Sequence, residues 1–246
     1  MSLDEFLENL TLEEIEELKR LKLENQRNFN FSSIKMSDLK KIFNIKQNLI
    51  NKDRFDNWFN SGIEVNSDID SFLFNLLKKV EPLLKYYKEE DLKIHFLSQI
   101  FSKIDFLSYD YEFRDFYNEK LTYKTDNFIL NGEVDFVISK GLKDSEKPYF
   151  FIQEFKRDLE FSNPEPQLLA ELISAVELNN FKSIKGAYIV GAIWNFVILE
   201  RLERHKYIYY VSQNFDSTKI DDLKDIYKNL LYVKSEIIEL IESEES

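Results

Sequence analysis

Gly132-Glu133-Val134-Asp135-Phe136-Val137 and Tyr149-Phe150-Phe151-Ile152-Gln153-Glu154-Phe155-Lys156 are the two stretches that decide how this chain is read. Val134 to Ser139 and Tyr149 to Phe155 are rich in aromatic and β-branched residues, the composition of buried strands. The polar stretch between them, Lys140 to Pro148, has a Gly near its start and a Pro at its end and reads as a hairpin turn. Such a hairpin brings Asp135 beside Glu154. Glu154 and Lys156, two apart on one strand, point to the same face. Two carboxylates and an ammonium then share a sheet face, an arrangement of hard oxygens and a cation that suits phosphodiester cleavage.

A cross-strand salt bridge is the competing reading. Acidic and basic residues at a spacing of two are common on solvated strand faces and contribute little there. Here, however, the charges interrupt the apolar runs Phe136-Val137-Ile138 and Tyr149-Phe150-Phe151-Ile152. A charge inside a buried strand is expensive unless it is paired or binds a metal. That context favours a functional site.

These residues resemble the signature of the PD-(D/E)XK nuclease superfamily, the restriction-endonuclease-like fold: an Asp on one core strand and (D/E)-x-K on the next. Asp135 matches the first position, and Glu154 and Lys156 the second; Val134 stands where the family often has Pro. The wider phrase, through Gln167-Leu168-Leu169-Ala170-Glu171, resembles uncharacterised bacterial proteins of the superfamily, and the likeness runs from about Glu89 to Phe215. The resemblance implies an α/β (α+β) fold, a mixed sheet in an α-β-β-β-α-β core. It divides the chain into a helical N-terminal extension, 1–85, and a nuclease-like domain with a C-terminal helix, 86–246.

Periodicity supplies the elements. Leu3 to Leu23 reads as a helix, with Thr11 ahead of Glu13 and Glu14 as a second start. Met36 to Ile50 reads as another, with Ser37 as N-cap, and Asp68 to Tyr87 as a third, kinked near Pro82. Glu89 to Ile104 places Leu97, Ile100, Phe101 and Ile104 on one face, with His95 packed inside. Strands are expected around 121–130, 133–139 and 148–155. A helix over 164–179 starts at Asn163 and Pro164. Strands at Gly186–Gly191, Trp194–Leu202 and Lys206–Val211 and a helix over Asp221–Ile241 follow.

Composition bounds the chemistry. The chain has 246 residues, of which 43% are hydrophobic and 15% aromatic, ample for a core; 5 Gly and 4 Pro argue for long regular elements. With no Cys, a disulfide scaffold, a thiolate zinc site and a Cys nucleophile are excluded, and two His leave little room for a zinc centre or a Ser-His-Asp triad. No signal peptide or transmembrane run is visible, so a cytoplasmic location is expected. The net charge of −12 counts against nucleic-acid binding, but residues 1–24 and 236–246 each carry −5, leaving −2 between them.

The resemblance also implies a metal-associated Glu on the first core helix. Glu89 and Glu90 lie on opposite flanks of its apolar stripe, so geometry does not choose; the phrase Glu89-Glu90-Asp91 favours Glu89 by resemblance, against a plain acidic helix start. Gln167, one helical step from Glu171, resembles a Gln that positions substrate or water, against an ordinary polar stripe. By resemblance, Asp135, Glu154, the Phe155 carbonyl and Glu89 hold Mg²⁺ or Mn²⁺, which suits oxygen ligands, while Lys156 orients water. Lys140, Lys143, Lys147, Lys182 and Lys185 are expected in turns where they can meet phosphates, and Trp194, Phe196, Tyr207, Tyr209 and Tyr210 in the core. The expected activity is a metal-dependent nuclease acting on nucleic acid, DNA by resemblance. The alternatives are an inactive interaction protein on the same fold, working with a defence or repair partner that supplies DNA binding, and, last, an acidic nucleic-acid mimic.

Overall fold

The computed structural model describes residues 10–24, 26–50, 53–156 and 163–244. The helices are α1 (Leu12–Glu24), α2 (Met36–Ile42), α3 (Asp56–Phe59), α4 (Ser67–Leu84), α5, α6 (Glu165–Asn179) and α7 (Ile220–Glu244). Helix α5 runs from Glu89–Leu92 through a π-turn at Lys93–Leu97 into Ser98–Ile104. The strands are β1 (Arg27–Asn30), β2 (Asn44–Gln47), β3 (Phe113–Lys124), β4 (Phe128–Lys140), β5 (Glu146–Lys156), β6 (Ser183–Val190), β7 (Ile193–Glu203), β8 (Lys206–Val211) and β9 (Phe215–Asp216).

All of these strands join one mixed sheet with the path β1-β4-β5-β6-β7-β8-β2; β3 pairs with β4 and β9 with β7. The β3-β4-β5 and β6-β7-β8 runs are antiparallel, whereas β1 on β4, β5 on β6 and β2 on β8 are parallel. The sheet curls. Phe43, at the end of α2, touches Phe128 of β4 and Tyr207 of β8 with ring centroids 5.3 and 5.4 Å apart, and Tyr123 Oη lies 3.0 Å from His205 Nε2. Helix α6 fills the inside of the curl. Pro166 to Val176 are buried without a break, including Gln167, Glu171 and Ser174. A helix apolar on nearly every side must be enclosed on nearly every side, which a curled sheet achieves.

Strand alternation separates two apolar clusters. Val137 and Ile152 face α6, while Phe136, Ile138, Phe151 and Phe155 face α3, α4, α5 and α7. Contact between α6 and the sheet is close at Gly186. A β-carbon there would lie 2.7 Å from the Ile152 carbonyl oxygen and 2.9 Å from a Leu172 methyl. Since the backbone oxygen cannot yield, Gly186→Ala is expected to lower stability by about 1–3 kcal/mol. The check is thermal unfolding, in which the melting point falls by at least about 3 °C; an unchanged melting point refutes the packing argument.

Several expected elements are in place. Leu97, Ile100, Phe101 and Ile104 are all buried, and β8 spans Lys206–Val211 as read. Thr11 and Glu14 cap α1 reciprocally, Thr11 N–H donating to Glu14 at 2.8 Å and Glu14 N–H to the Thr11 hydroxyl at 3.3 Å. The start of α6 lies one residue later than read, with Pro164 at the N-cap position and Asn163 just ahead of it accepting from Glu165 N–H at 3.0 Å. Trp194, Phe196, Tyr207, Tyr209 and Tyr210 are buried.

Other elements differ. The helix expected over Met36–Ile50 stops at Ile42 and gives way to β2; Lys35, not Ser37, occupies its N-cap, with its N–H donating to Asp38. The strand expected around 121–130 is two strands joined by a turn in which the Thr125 hydroxyl accepts from Phe128 N–H at 3.1 Å. The extension over 1–85 is not purely helical, because β1 and β2 belong to the same sheet as the rest. The part of the first expected helix over residues 1–9 lies outside the described residues. His95 is exposed, its ring 5.7 Å from Tyr87, because the π-turn rotates it off the buried face. Among the described residues no helix is long and apolar enough to cross a membrane.

Candidate active site

The site forms where the sheet opens. One edge of β4 is covered by β3 along its length; the other pairs with β1 over Phe128–Asn131 and with β5 from Phe136 onward. Between these two pairings lie Gly132, Glu133, Val134 and Asp135. At Gly132 the Phe31 ring packs so closely that a β-carbon would meet it at 2.8 Å. The β4–β5 ladder ends with Phe136 opposite Gln153, so Asp135 and Glu154 follow as facing positions.

Both oxygens of Asp135 are engaged. Oδ2 accepts the Phe155 main-chain N–H at 3.0 Å, and Oδ1 accepts from Lys93 Nζ at 3.1 Å. Lys93 also donates to Glu89 at 3.0 Å and reaches Glu90 at 3.5 Å, and it sits over the Phe155 ring at 5.4 Å. The π-turn of α5 begins at Lys93, whose side chain joins helix carboxylates to strand Asp135. Burial opposes its charge, but Asp135 and Glu89 outweigh burial and hold the ammonium above its ordinary pKa.

Glu154 is fully buried, with Oε1 paired to Lys156 Nζ. Among the described residues its Oε2 has no hydrogen-bond partner. Burial first, then the Asp135 carboxylate, push its pKa up to about 8 against the opposing pull of Lys156. Lys156 is itself raised; burial acts against this, but Glu154, then Asp135 and Glu89, prevail. From inside the curl, α6 adds Glu171, fully buried, whose Oε1 accepts from Gln167 Nε2 at 3.1 Å and whose Oε2 has no partner among the described residues. Burial, and next the Glu154 charge, raise Glu171 well above the carboxylate range.

The structure therefore brings Asp135, Glu154, Lys156 and Glu89 into one electrostatic group, with Glu171 coupled to it. Gln167 reaches that group through Glu171; it is buried, so the exposed-stripe alternative falls. Glu90 stands at the rim, its side chain 74% exposed against 35% for Glu89. At Phe155 it is the N–H, not the carbonyl, that meets Asp135. Two of the five lysines expected to meet phosphates are engaged elsewhere, Lys140 on the Tyr111 carbonyl and Lys185 on Glu236.

Two participants escaped the sequence reading of the site. Lys93 follows Glu89 by one helical step, and Glu171 follows Gln167 by the same step; the polar i,i+4 pairs were the available signal. Among the described residues no three His, Cys, Asp or Glu side chains already stand together as a ready metal cluster. The donor chemistry nevertheless fits a hard cation, because the carboxylates of the group offer oxygen ligands and Glu154 and Glu171 each keep a buried oxygen with no partner among the described residues. No family model matches the chain, and no curated protein is similar to it.

Proposed function

We propose that the chain is a metal-dependent nuclease of the PD-(D/E)XK type, with DNA as the favoured substrate by the sequence resemblance. The observation that carries this reading is Glu154, a fully buried carboxylate with one oxygen that has no partner among the described residues, beside Asp135 and Glu171 and paired to Lys156. Buried carboxylates packed together are costly in a resting protein and cluster where a cation or reacting group is handled. The order α5-β3-β4-β5-α6-β6 along the chain supports it, since it is the order that the resemblance implies.

In this reading Asp135, Glu154, Glu89 and the Phe155 carbonyl hold Mg²⁺ or Mn²⁺, with Glu171 behind them. When bound, the ion lowers the pKa of a water and offsets charge on the phosphoryl oxygens. Lys156, kept charged by Glu154, orients the attacking water and stabilises developing negative charge. Gln167 fixes the Glu171 carboxylate by its hydrogen bond. A cleft lined by Lys85, Lys88, one carboxylate (Glu81), Leu92 and Gly191 adjoins the site, for Gly191 N–H donates to the Lys156 carbonyl at 2.9 Å. Its two lysines suit a polyanion.

The test is incubation with single- and double-stranded DNA and RNA in Mg²⁺ or Mn²⁺. Cleavage that needs the divalent ion and falls at least about 100-fold in Lys156→Ala is expected. Cleavage that Lys156→Ala leaves intact refutes the role of Lys156. No cleavage of any substrate favours the second reading, an inactive interaction protein on this fold. One observation speaks for that reading, the lack of a preassembled three-carboxylate cluster among the described residues.

A further inference from the structure

We propose that Lys93 is the resident cation of this site, its ammonium occupying the space between Glu89 and Asp135 that a divalent cation takes, and moving onto Glu90 when that ion binds. The inference rests on the nuclease reading and names how the same site is regulated.

The geometry leads to it. One nitrogen lies 3.0 Å from Glu89, 3.1 Å from Asp135 and 3.5 Å from Glu90. The first two are the helix and strand carboxylates that stand as ligands, so a cation between them must share its place with Lys93 or replace it. An acidic cluster alone would say little, but here a second feature points to a ligand. Fully buried Glu154, next to Asp135, has an oxygen with no partner among the described residues, and Lys93 does not serve it. Lys93 on Asp135 and Glu89, and Lys156 on the other Glu154 oxygen, therefore answer part of the site's need for positive charge and leave the rest unmet. The π-turn that begins at Lys93 argues for purpose, because such insertions are rare and gather at functional sites. Glu90 gives the displaced ammonium a destination, being one helical turn away and mostly exposed. An internal cation of this kind keeps the empty site from holding several unpaired carboxylates, and it sets the ion concentration at which the site fills. It also explains why no ready cluster of three carboxylates is found among the described residues.

Two cations that exclude each other are negatively coupled, and couplings of this type are typically worth about 5- to 150-fold in affinity. Mn²⁺ affinity measured calorimetrically on the full chain, without nucleic acid, is the test. In Lys93→Met, which keeps an unbranched stem without the charge, Mn²⁺ is expected to bind about tenfold more tightly than in the wild type. Lys93→Arg restores the cation and should return the affinity to the wild-type level or below. Lys93→Gln serves as the neutral variant should Lys93→Met fold poorly, which circular dichroism reports. Equal or weaker Mn²⁺ binding in both neutral variants, beside measurable binding in the wild type, overturns the role of Lys93 and leaves the nuclease reading standing. Binding that appears only in the neutral variants supports the proposal. Absence of Mn²⁺ binding from the wild type and every variant overturns both.

Discussion

In a chelator, Glu171→Gln is expected to melt higher than the wild type, with a margin that widens from pH 5 to pH 8. The wild-type Glu171 and Glu154 are both held above the carboxylate range, Glu154 at about 8. A carboxyl whose folded pKa exceeds its unfolded one adds no penalty below the unfolded value, near 4.3. As pH rises above that, the unfolded chain ionises while the folded one keeps its proton. Stability then falls, by up to about 1.4 kcal/mol per pH unit for each such group, and levels off once the folded pKa is passed. For Glu154 the window is therefore about pH 4.5 to 8. Glutamine at 171 removes one member of the pair. Its carbonyl can still accept from Gln167, and it presents no charge to Glu154. A melting curve at each pH checks this. Parallel curves for variant and wild type would mean that the Glu171 charge is not felt by the fold, and the coupled pair would be abandoned.

The same pair shows where sequence reading succeeds and where it stops. Asp135, Glu154 and Lys156 were legible because they interrupt apolar strands, and a two-residue period fixes which side chains share a face. Helix α6 was legible from Asn163-Pro164 at its start. The four-residue strands β1, Arg-Asn-Phe-Asn, and β2, Asn-Ile-Lys-Gln, were not, since neither has apolar alternation. They exist because β4 and β8 offer parallel edges far along the chain, a tertiary cause that local propensity does not contain. The start of β3, Phe-Arg-Asp-Phe-Tyr-Asn-Glu, was hidden the same way, since its mixed polar pattern gains strand form from β4. Lys93 and Glu171 were missed as members of the site for a related reason. Lys93 meets Asp135 across 42 positions of chain, through a π-turn that shifts the helical register in a way no period of 3.6 announces.

Asp135→Asn separates a ligand from a salt-bridge residue by the largest expected margin. Its Oδ1 can still accept the Phe155 N–H that Asp135 now holds at 3.0 Å, so the strand opening keeps its link. Two electrostatic changes then oppose each other. Lys93 loses one charged partner but retains Glu89 and Glu90, which weakens the fold a little. Glu154 loses the neighbouring charge that, after burial, does most to raise its pKa, which strengthens it. The metal-free melting point should therefore stay within about 3 °C of the wild type, the equivalent of about 1 kcal/mol in a chain of this size. Stabilisation by Mn²⁺ grows with concentration over Kd, and loss of a charged ligand should remove nearly all of it. Ion-dependent cleavage should fall by at least about 100-fold, since even outer-shell changes at metal sites cost 10- to 100-fold. The opposite pattern is equally clear: a metal-free variant that melts far below the wild type, and a wild type indifferent to Mn²⁺, would make Asp135 the partner of Lys93 and nothing more. A variant that keeps the full Mn²⁺ response would remove Asp135 from the ligand set while leaving Glu154 and Glu89 in it.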